Sequence, residues 1–360
     1  MQLSLFPKQG CVGLDIGHNS IKAVQVERSG EGWVVQKAAE APTPPDSVKD
    51  GVVIDQAAMT DAIRAILREG RFGVQVANIA VSGGPVLVRT VRVPKMPEAT
   101  LRKSIRYEAS RYVPTSPEES YIEFEIVGDA GENQMDIIVA AAPRDVVDSR
   151  IHACQSAGVE VDVVEVEAFA AYRALVETNQ LHDWKESVVA LVDIGSVTTN
   201  VSVVERGVFA MTRSIAQGSQ AITDALASYF KLPPGDAEAG KRQLDLAGLL
   251  TENGPKENPP LRVIQPLVDE LVREVRRSLN YYQSQQSERS TGNTISAVLL
   301  TGGGARLASI DRYFAHKLSL PVESVGLHSN PAFACESIRD RSESFAVACG
   351  LAMRGVAKAA

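Results

Sequence analysis

Val12-Gly13-Leu14-Asp15-Ile16-Gly17 and Ala190-Leu191-Val192-Asp193-Ile194-Gly195 stand about half the chain apart and are near copies of each other. The first is followed by polar residues and then Lys22-Ala23-Val24-Gln25-Val26; the second by Ser196, Thr198, Thr199 and Val201-Ser202-Val203-Val204. Each reads as a buried strand, an Asp-x-Gly turn and a returning strand. A repeat at this distance predicts two domains of one ancestry that face each other. Glycine beside aspartate at a strand end lets backbone N–H groups turn inward around anionic oxygens. The aspartate can hold a hydrated divalent cation, because magnesium keeps its waters and takes few carboxylates. Two such turns, one per domain, make a two-sided phosphate clamp. Either aspartate alone would be read as a turn-former bonding its own backbone; the matched pair argues for the clamp.

Composition bounds the rest. At 360 residues the chain is long enough for two or three domains with cores of their own. Apolar residues make up 44% and charged residues 22%, an ordinary globular balance. A net charge of -7 indicates no broad basic face for nucleic acid, and no aromatic-basic interleaving suggests a single-strand binder. Cys11, Cys154, Cys335 and Cys349 are scattered without C-x-x-C spacing, which fits a reducing compartment and argues against zinc. Met1 to Gly10 lacks the basic start and apolar length of a signal peptide, and no apolar run approaches the roughly 18 residues of a membrane span. The expectation is a soluble, cytoplasmic chain with no direct membrane span, associated with a membrane only through partners. Five unclustered histidines offer no Ser/His/Asp triad.

Outward from the first motif, residues 11–44 read as three strands punctuated by Gly17, Gly30 and Gly32 and ended by prolines. A helix follows near Gln56–Glu69, with Met59, Ile63, Ile66 and Leu67 on one face, then strands at Asn78–Val81 and Val86–Val93. Residues 94–158 have the texture of a small α+β insertion: helix, two strands, helix. The second half opens with the copied motif and continues through a helical block over 219–287, whose last helix carries Leu267, Leu271, Val275, Leu279 and Tyr282 as a core-facing stripe. A strand at Ala297–Leu300 then meets Thr301-Gly302-Gly303-Gly304-Ala305-Arg306. Consecutive glycines permit close backbone approach to a flat ring or a phosphate. Alone they would be a flexible turn; after two Asp-x-Gly turns they read as a third ligand loop.

Asp15-Ile16-Gly17 with Lys22, Asp193-Ile194-Gly195 with Thr198 and Thr199, and Leu300 to Arg306 resemble the two phosphate motifs and the adenosine motif of the actin superfamily. That group includes the 70-kDa heat-shock chaperones, the sugar kinases and the bacterial actins MreB and FtsA. Glu165 to Ala170 and Phe345 to Gly350 resemble its two inter-domain helices. Within the group, Val91 to Pro97, Ile105 to Glu108, Val161 to Phe169 and Glu274 to Tyr282 resemble the PilM family of type IV pilus assembly proteins.

The resemblance implies an α/β, actin-like (ribonuclease-H-like) duplicated ATPase fold with two lobes and an FtsA-like α+β insertion in the first lobe. It divides the chain into a first subdomain over 1–93, completed by 159–185 and 336–360, and the insertion over 94–158. A second subdomain covers 186–217 and 291–335, and a helical nucleotide-capping subdomain covers 218–290. The implied cofactors are ATP or ADP with Mg2+. Asp15 and Asp193 would hold the metal through water, and Lys22 would neutralise phosphate charge. Gly17, His18 and Asn19, with Ser20 beside them, would hold the β-phosphate from one side, and Gly195, Ser196 and Thr198 from the other. Glu167 matches the acid that positions attacking water. Glu238 would meet the ribose hydroxyls, with Lys241 beside it. Arg273 and Arg277 would flank the adenine, and Gly302, Gly303, Gly304 and Arg306 would line its other face. The implied partner is the N-terminal cytoplasmic peptide of PilN, lined by Val93, Leu101, Ile105 and Tyr112, with the pilus inner-membrane complex and motor ATPases as further contacts and self-association left open.

Bland readings stand beside several of these. Lys22 alternates with apolar residues as any solvent-facing lysine on a strand does. Glu270, Arg273, Glu274 and Arg277 form i,i+3 pairs that usually only solubilise a helix. His18 reads more simply as a plain loop residue, and Val93, Leu101 and Ile105 as the insertion's own core. Gly235 to Arg242 nearly matches a phosphate-binding P-loop but lacks its Ser/Thr and its preceding strand. Among functions, an ATP-binding scaffold with at most slow hydrolysis competes with an FtsA- or MreB-like filament and with a sugar-kinase-type phosphotransferase. The kinase needs a general-base aspartate near the γ-phosphate, and Asp224 comes late, on a helix. A chaperone needs a substrate domain after the ATPase, which 360 residues do not supply.

Overall fold

The computed structural model describes residues 11–73, 75–109, 116–131, 133–179, 181–251, 257–287, 294–354 and 356. The first motif opens an antiparallel meander of β1 (Val12–Ile16), β2 (Ser20–Ser29) and β3 (Gly32–Pro42). β1 is buried along its length: Val12, Leu14 and Ile16 share a core with Met59, Ile63 and Ile66, and Gly13 lies against Ala348 and Ala352. A short hairpin, β4 (Val48–Lys49) and β5 (Val52–Val53), leads to α1 (Gln56–Glu69). Asp55 caps α1 by accepting from the Ala58 N–H, and the Met59, Ile63 and Ile66 stripe packs onto the sheet. Then come β6 (Val76–Val81), β7 (Leu87–Pro94), α2 (Glu98–Ala109), β8 (Ser120–Asp129), β9 (Gln134–Pro143), α3 (Arg144–Ser156) and β10 (Glu160–Val166).

α4 (Glu167–Tyr172) runs into a π-turn at Arg173–Glu177 and crosses to the second lobe. There β11 (Val188–Ile194), β12 (Thr199–Glu205) and β13 (Val208–Ile215) repeat the meander. The helices α5 (Gln220–Phe230), α6 (Pro234–Arg242) and α7 (Pro259–Ser287) form the block above it. β14 (Ala297–Thr301), α8 (Ile310–Leu318), β15 (Val322–Ser324), β16 (Phe333–Ala334) and α9 (Ala346–Arg354) complete the chain.

The duplication read from the two motifs is visible in the strand order. The first lobe runs β3-β2-β1-β6-β10 and the second β13-β12-β11-β14-β15, each an antiparallel meander followed by two parallel strands. Even the irregularity repeats: the register shifts between Gln25 and Val26 in one meander and between Val203 and Val204 in the other, at the same offset from Asp15 and Asp193.

Two elements differ from the sequence reading. β7, expected in the first lobe's sheet, instead pairs antiparallel with β9 from Leu87↔Ala141 to Pro94↔Gln134. It pairs there because its buried residues Val91 and Val93 face Leu101, Ile105, Met135, Ile137 and Val139 in a core of their own. This β7-β9-β8 unit joins the second lobe's sheet at a narrow seam. Met211 pairs with Arg89 there, and the Thr90 hydroxyl donates to the Phe209 carbonyl at 2.6 Å. α3, read with the insertion, packs Ala153 and Cys154 into the first lobe's core beside Ile63 and Ile79. The inter-lobe helices meet on small residues: a Cβ on Gly350 would overlap the Ala170 carbonyl, and one on Gly13 the Ala348 carbonyl. That close crossing puts the carboxyl ends of β1 and β11 opposite each other.

Candidate functional site

Both Asp-Ile-Gly turns close with the same bond. Gly17 N–H donates to the Ser20 carbonyl at 3.2 Å, and Gly195 N–H to the Thr198 carbonyl at 2.9 Å. Side chains then fix each turn. The Thr43 hydroxyl donates to the Gly17 carbonyl at 2.6 Å, and the Thr199 hydroxyl to the Gln217 carbonyl at 2.8 Å. The second turn is also tied to the start of α5, where Ser219 and Gln220 N–H donate to the Gly195 and Ser196 carbonyls. The glycine loop lies directly on this turn. Gly302 has φ 85°, and a Cβ there would strike the Asp193 carboxylate; one on Gly304 would strike Ile194. Glycine is thus required at Gly302 twice over, by conformation and by room.

The two turns and the loop surround one cleft of about 240 Å³ between the lobes. Three carboxylates converge at its base. Asp15 pairs with Lys22 at 3.6 Å, both side chains 11% exposed. Asp193 is pushed up to about 6 by burial and by the Asp15 charge, with Lys22 opposing. Glu167, at the start of α4, is pushed up to about 7 by burial and by Asp15 and Asp193, while a hydrogen bond from Ser82 and the Arg150 charge oppose. Burial also lowers His18, with Arg150 adding to it and Asp50 opposing, so its ring is neutral at pH 7. Among the described residues no three His, Cys, Asp or Glu side chains gather into a direct metal cage. Asp15 and Asp193 offer hard carboxylate oxygens to the cleft, the donor chemistry that a divalent cation such as magnesium accepts.

The outer wall comes from α6. Burial would raise the Glu238 carboxyl, but hydrogen bonds from Lys241, Thr223 and Arg242 bring it below its ordinary value. Lys241 lies 2.5 Å from Glu238 and Thr223 donates to it at 2.7 Å. The spacing of 238, 241 and 242 puts all three on one helical face, toward the cleft.

The cleft brings together Asp15, Gly17, His18, Asn19, Ser20, Lys22, Glu167, Asp193, Gly195, Ser196, Thr198, Glu238, Lys241, Gly302, Gly303, Gly304 and Arg306, as the sequence reading placed them. It does not include Arg273 and Arg277. Their side chains are 62% and 67% exposed and pair with Glu270 and Glu274. The buried stripe of α7 is Ile264, Val268, Leu271, Val275 and Leu279, and the two arginines fall on its opposite side. Arg242 lines the cleft instead. Val93, Leu101 and Ile105, expected against a partner peptide, are 3%, 0% and 4% exposed and fill the core of the β7-β9-β8 unit, so they present no surface. Tyr112 lies outside the described residues. The sequence reading also missed Ser82, Arg150 and Gln220, all of which line the cleft.

Comparison with known proteins gives a consistent picture. The family described as type IV pilus assembly protein PilM matches residues 13–356. A solved PilM-PilN type IV pilus biogenesis complex superposes with a TM-score of 0.84 at 28% identity, covering 98% of this chain and 100% of that one. The ethanolamine utilization protein EutJ from Carboxydothermus hydrogenoformans superposes with a TM-score of 0.57 at 19% identity, covering 97% and 90% of the two chains. MreB 5 of Spiroplasma citri bound to AMPPNP gives 0.50 at 15%, covering 96% and 95%. These last two establish the actin-like fold. Cell division protein FtsA of Escherichia coli (strain K12) is 25% identical over 233 residues, 58% of this chain and 54% of that protein. The alignment thus spans about half the length of that relative.

Proposed function

The chain belongs to the PilM family of type IV pilus assembly proteins, and on that premise we propose that it is an ATP-binding scaffold that couples nucleotide state to the binding of PilN. The observation that carries this reading is the convergence of two matched Asp-Ile-Gly turns and a glycine loop on one cleft between two lobes. In this proposal backbone groups of Gly17, His18, Asn19 and Ser20 cradle phosphate from the first lobe, and Gly195, Ser196 and Thr198 from the second. Lys22 offsets phosphate charge. Asp15 and Asp193 would hold a hydrated magnesium ion, which would supply positive charge beside the phosphates. Glu238 and Lys241 meet the ribose. The base sits between Arg242 on α6 and Arg306 after the glycine loop, in place of the Arg273 and Arg277 pair. Glu167 faces the terminal phosphate as the acid that orients water.

Hydrolysis slower than about 1 per second, below the usual enzyme range, is expected. PilN enters through the likeness to the solved PilM-PilN complex, at 28% identity over 98% of this chain. We propose that its N-terminal cytoplasmic peptide is the bound segment, recognised as an extended chain by backbone bonds and apolar anchors. No described helix is long and apolar enough to cross a membrane. Position at the inner face of the cytoplasmic membrane then comes through PilN, with the pilus inner-membrane complex and motor ATPases as further contacts.

Calorimetry of the full chain with MgATP and MgADP tests the cleft, and a pull-down with and without nucleotide tests the peptide. Saturable adenine-nucleotide binding, and peptide capture that changes with nucleotide, are expected. No heat at saturating magnesium and nucleotide would sink the nucleotide reading; a peptide that does not bind would sink the coupling.

A further inference from the structure

Among the described residues Arg150 is the largest fully buried side chain, at 2% exposure. It stands on the apolar stripe of α3, among Val146, Val147, Ala153 and Cys154. A guanidinium taken out of water is costly unless specific bonds compensate it. Its Nη1 donates to the Ile16 carbonyl at 2.8 Å, inside the first Asp-Ile-Gly turn. Its Nε donates to the Gly51 carbonyl at 3.2 Å, in the β4–β5 hairpin. These two bonds use part of the group's five donors. Arg150 also lines the cleft, where its charge is attracted to Glu167 and Asp15.

The opposite face of α3 is bound to β8. Tyr121 OH donates to the Asp148 carboxylate at 2.9 Å. The Arg144 guanidinium lies 4.3 Å from the Tyr121 ring centre and donates to the Glu118 carbonyl at 2.8 Å. Residues 148 and 150 are two apart on a helix and so point to different sides. α3 follows β9 without an intervening loop. One rigid helix therefore touches the phosphate turn with one side and the outer strand of the β7-β9-β8 unit with the other.

Resting on the cleft being the nucleotide site, we infer that Arg150 is a positioning residue that holds the first phosphate turn and carries the state of the cleft through α3 to β8. Bound phosphate supplies new negative charge beside Arg150. The turn and the helix then settle as one body, and the Asp148–Tyr121 contact passes this to the unit's edge.

Hydrogen exchange on the full chain, with and without MgATP, reads the link, and calorimetry reads affinity. Wild type is expected to show MgATP-dependent protection in 118–129 and 144–156. Arg150→Met is expected to bind MgATP about 10- to 100-fold more weakly, the loss typical of a bond to a charged group, and to lose the change in 118–129. Arg150→Lys is expected to recover part of both. Tyr121→Phe, an exposed position that folding tolerates, is expected to keep wild-type affinity and protection of 144–156 while losing the change in 118–129. An Arg150→Met protein with wild-type affinity and exchange overturns the proposal. So does a Tyr121→Phe protein whose 118–129 response is intact, and that result decides the matter if Arg150→Met does not fold. A wild type that binds MgATP but shows no change in 118–129 also overturns it. A wild type that binds no nucleotide fails the parent reading itself.

Discussion

The two Asp-Ile-Gly turns share a sequence, a closing bond, a topology and even the place of a strand bulge, yet they are charged differently. The first carries cations: Lys22 stands 3.6 Å from Asp15, and Arg150 holds the Ile16 carbonyl at 2.8 Å. The second has neither. Thr198 and Asn200 stand in its cleft wall, and Asp193 packs against Gly302 with its carboxyl pushed up by burial and by Asp15. On the proposed function, the first cradle is the charge-neutralising side and the second a rigid wall. Lys22 and Arg150 only partly offset the burial and like-charge repulsion that raise Asp193 and Glu167, so the cleft retains a demand for positive charge.

The second turn's rigidity is where the comparison breaks most easily. Gly302→Ala puts a Cβ into the Asp193 carboxylate at a backbone φ of 85°, a conformation L side chains rarely adopt. A destabilisation on the order of 2–4 kcal/mol is expected from strain and the displaced carboxylate, with nucleotide affinity lowered about 100-fold or more. Gly303→Ala is the control. A Cβ there meets nothing within 4 Å, so thermal unfolding within about 0.5 kcal/mol of wild type is expected. Equal effects of the two substitutions would mean that the loop does not lean on the second turn.

Next in size comes the first turn's cation. Lys22→Met leaves Asp15 without its 3.6 Å partner beside two other, half-buried acids. MgATP affinity is expected to fall about 10- to 100-fold, in line with loss of a charge-assisted contact, as read by calorimetry. Thr198→Val in the second turn changes no charge and is expected to cost less than a third of that free energy. If the two losses match, the asymmetry between the turns is not electrostatic.

The acids give a pH dependence whose sign runs opposite to ordinary acid denaturation. Glu167 and Asp193 have folded-state values of about 7 and about 6, above the ordinary 4.5 and 3.8. The fold therefore favours their protonated forms. Their contribution to stability is complete below about pH 4 and is lost as the pH rises through 6 to 7. Glu167→Gln removes the larger share. Relative to wild type it is expected to be no more stable at pH 5 but more stable at pH 8, by on the order of 2 kcal/mol in the metal-free protein. Magnesium nucleotide should narrow that gap. A stability difference that stays flat between pH 5 and pH 8 in thermal melts would show that the buried acids are compensated by some other charge.

How much of this was written in the sequence follows the same division. The strand–turn–strand copies are local, so the paired turns, their duplicated sheets and the glycine loop were legible from residue spacing. The residues missed are those whose role depends on what a third element does. Arg150 could have been noticed as a charge on an otherwise apolar helical stripe at 146, 147, 150, 153 and 154, but nothing local says which backbone it reaches. Arg273 and Arg277 are placed at the adenine by the resemblance alone, while the direction of their helix's apolar stripe is fixed only by packing against the second sheet. β7 reads as an ordinary half-buried strand, and its membership in the β7-β9-β8 unit is set by its pairing with β9, 40 to 54 residues further along the chain. Val93, Leu101 and Ile105 show the same limit: apolar residues bracketed by prolines suit a groove or a core equally well, and only the closed cluster decides for the core.

The finest distinction concerns the base. If the second lobe alone holds the adenine, Arg242 and Arg306 contribute cation–π and stacking contacts that the first lobe has no counterpart for. A partly exposed contact of that kind is worth about 0.5–1 kcal/mol. Arg242→Ala is then expected to weaken MgATP about 2- to 5-fold. Binding of magnesium tripolyphosphate, which has no base, should be unchanged. Arg242 also donates to Glu238 at 3.0 Å, so a lost carboxylate anchor would show as a change in the ribose contribution, which comparing ATP with its 2′-deoxy form isolates. Arg273→Ala, on the exposed side of α7, is the matched control and should leave every ligand unaffected. Were Arg273→Ala to weaken ATP and Arg242→Ala not, the base would lie against α7, and the adenine site would have to be redrawn with α7, not α6, as its outer wall.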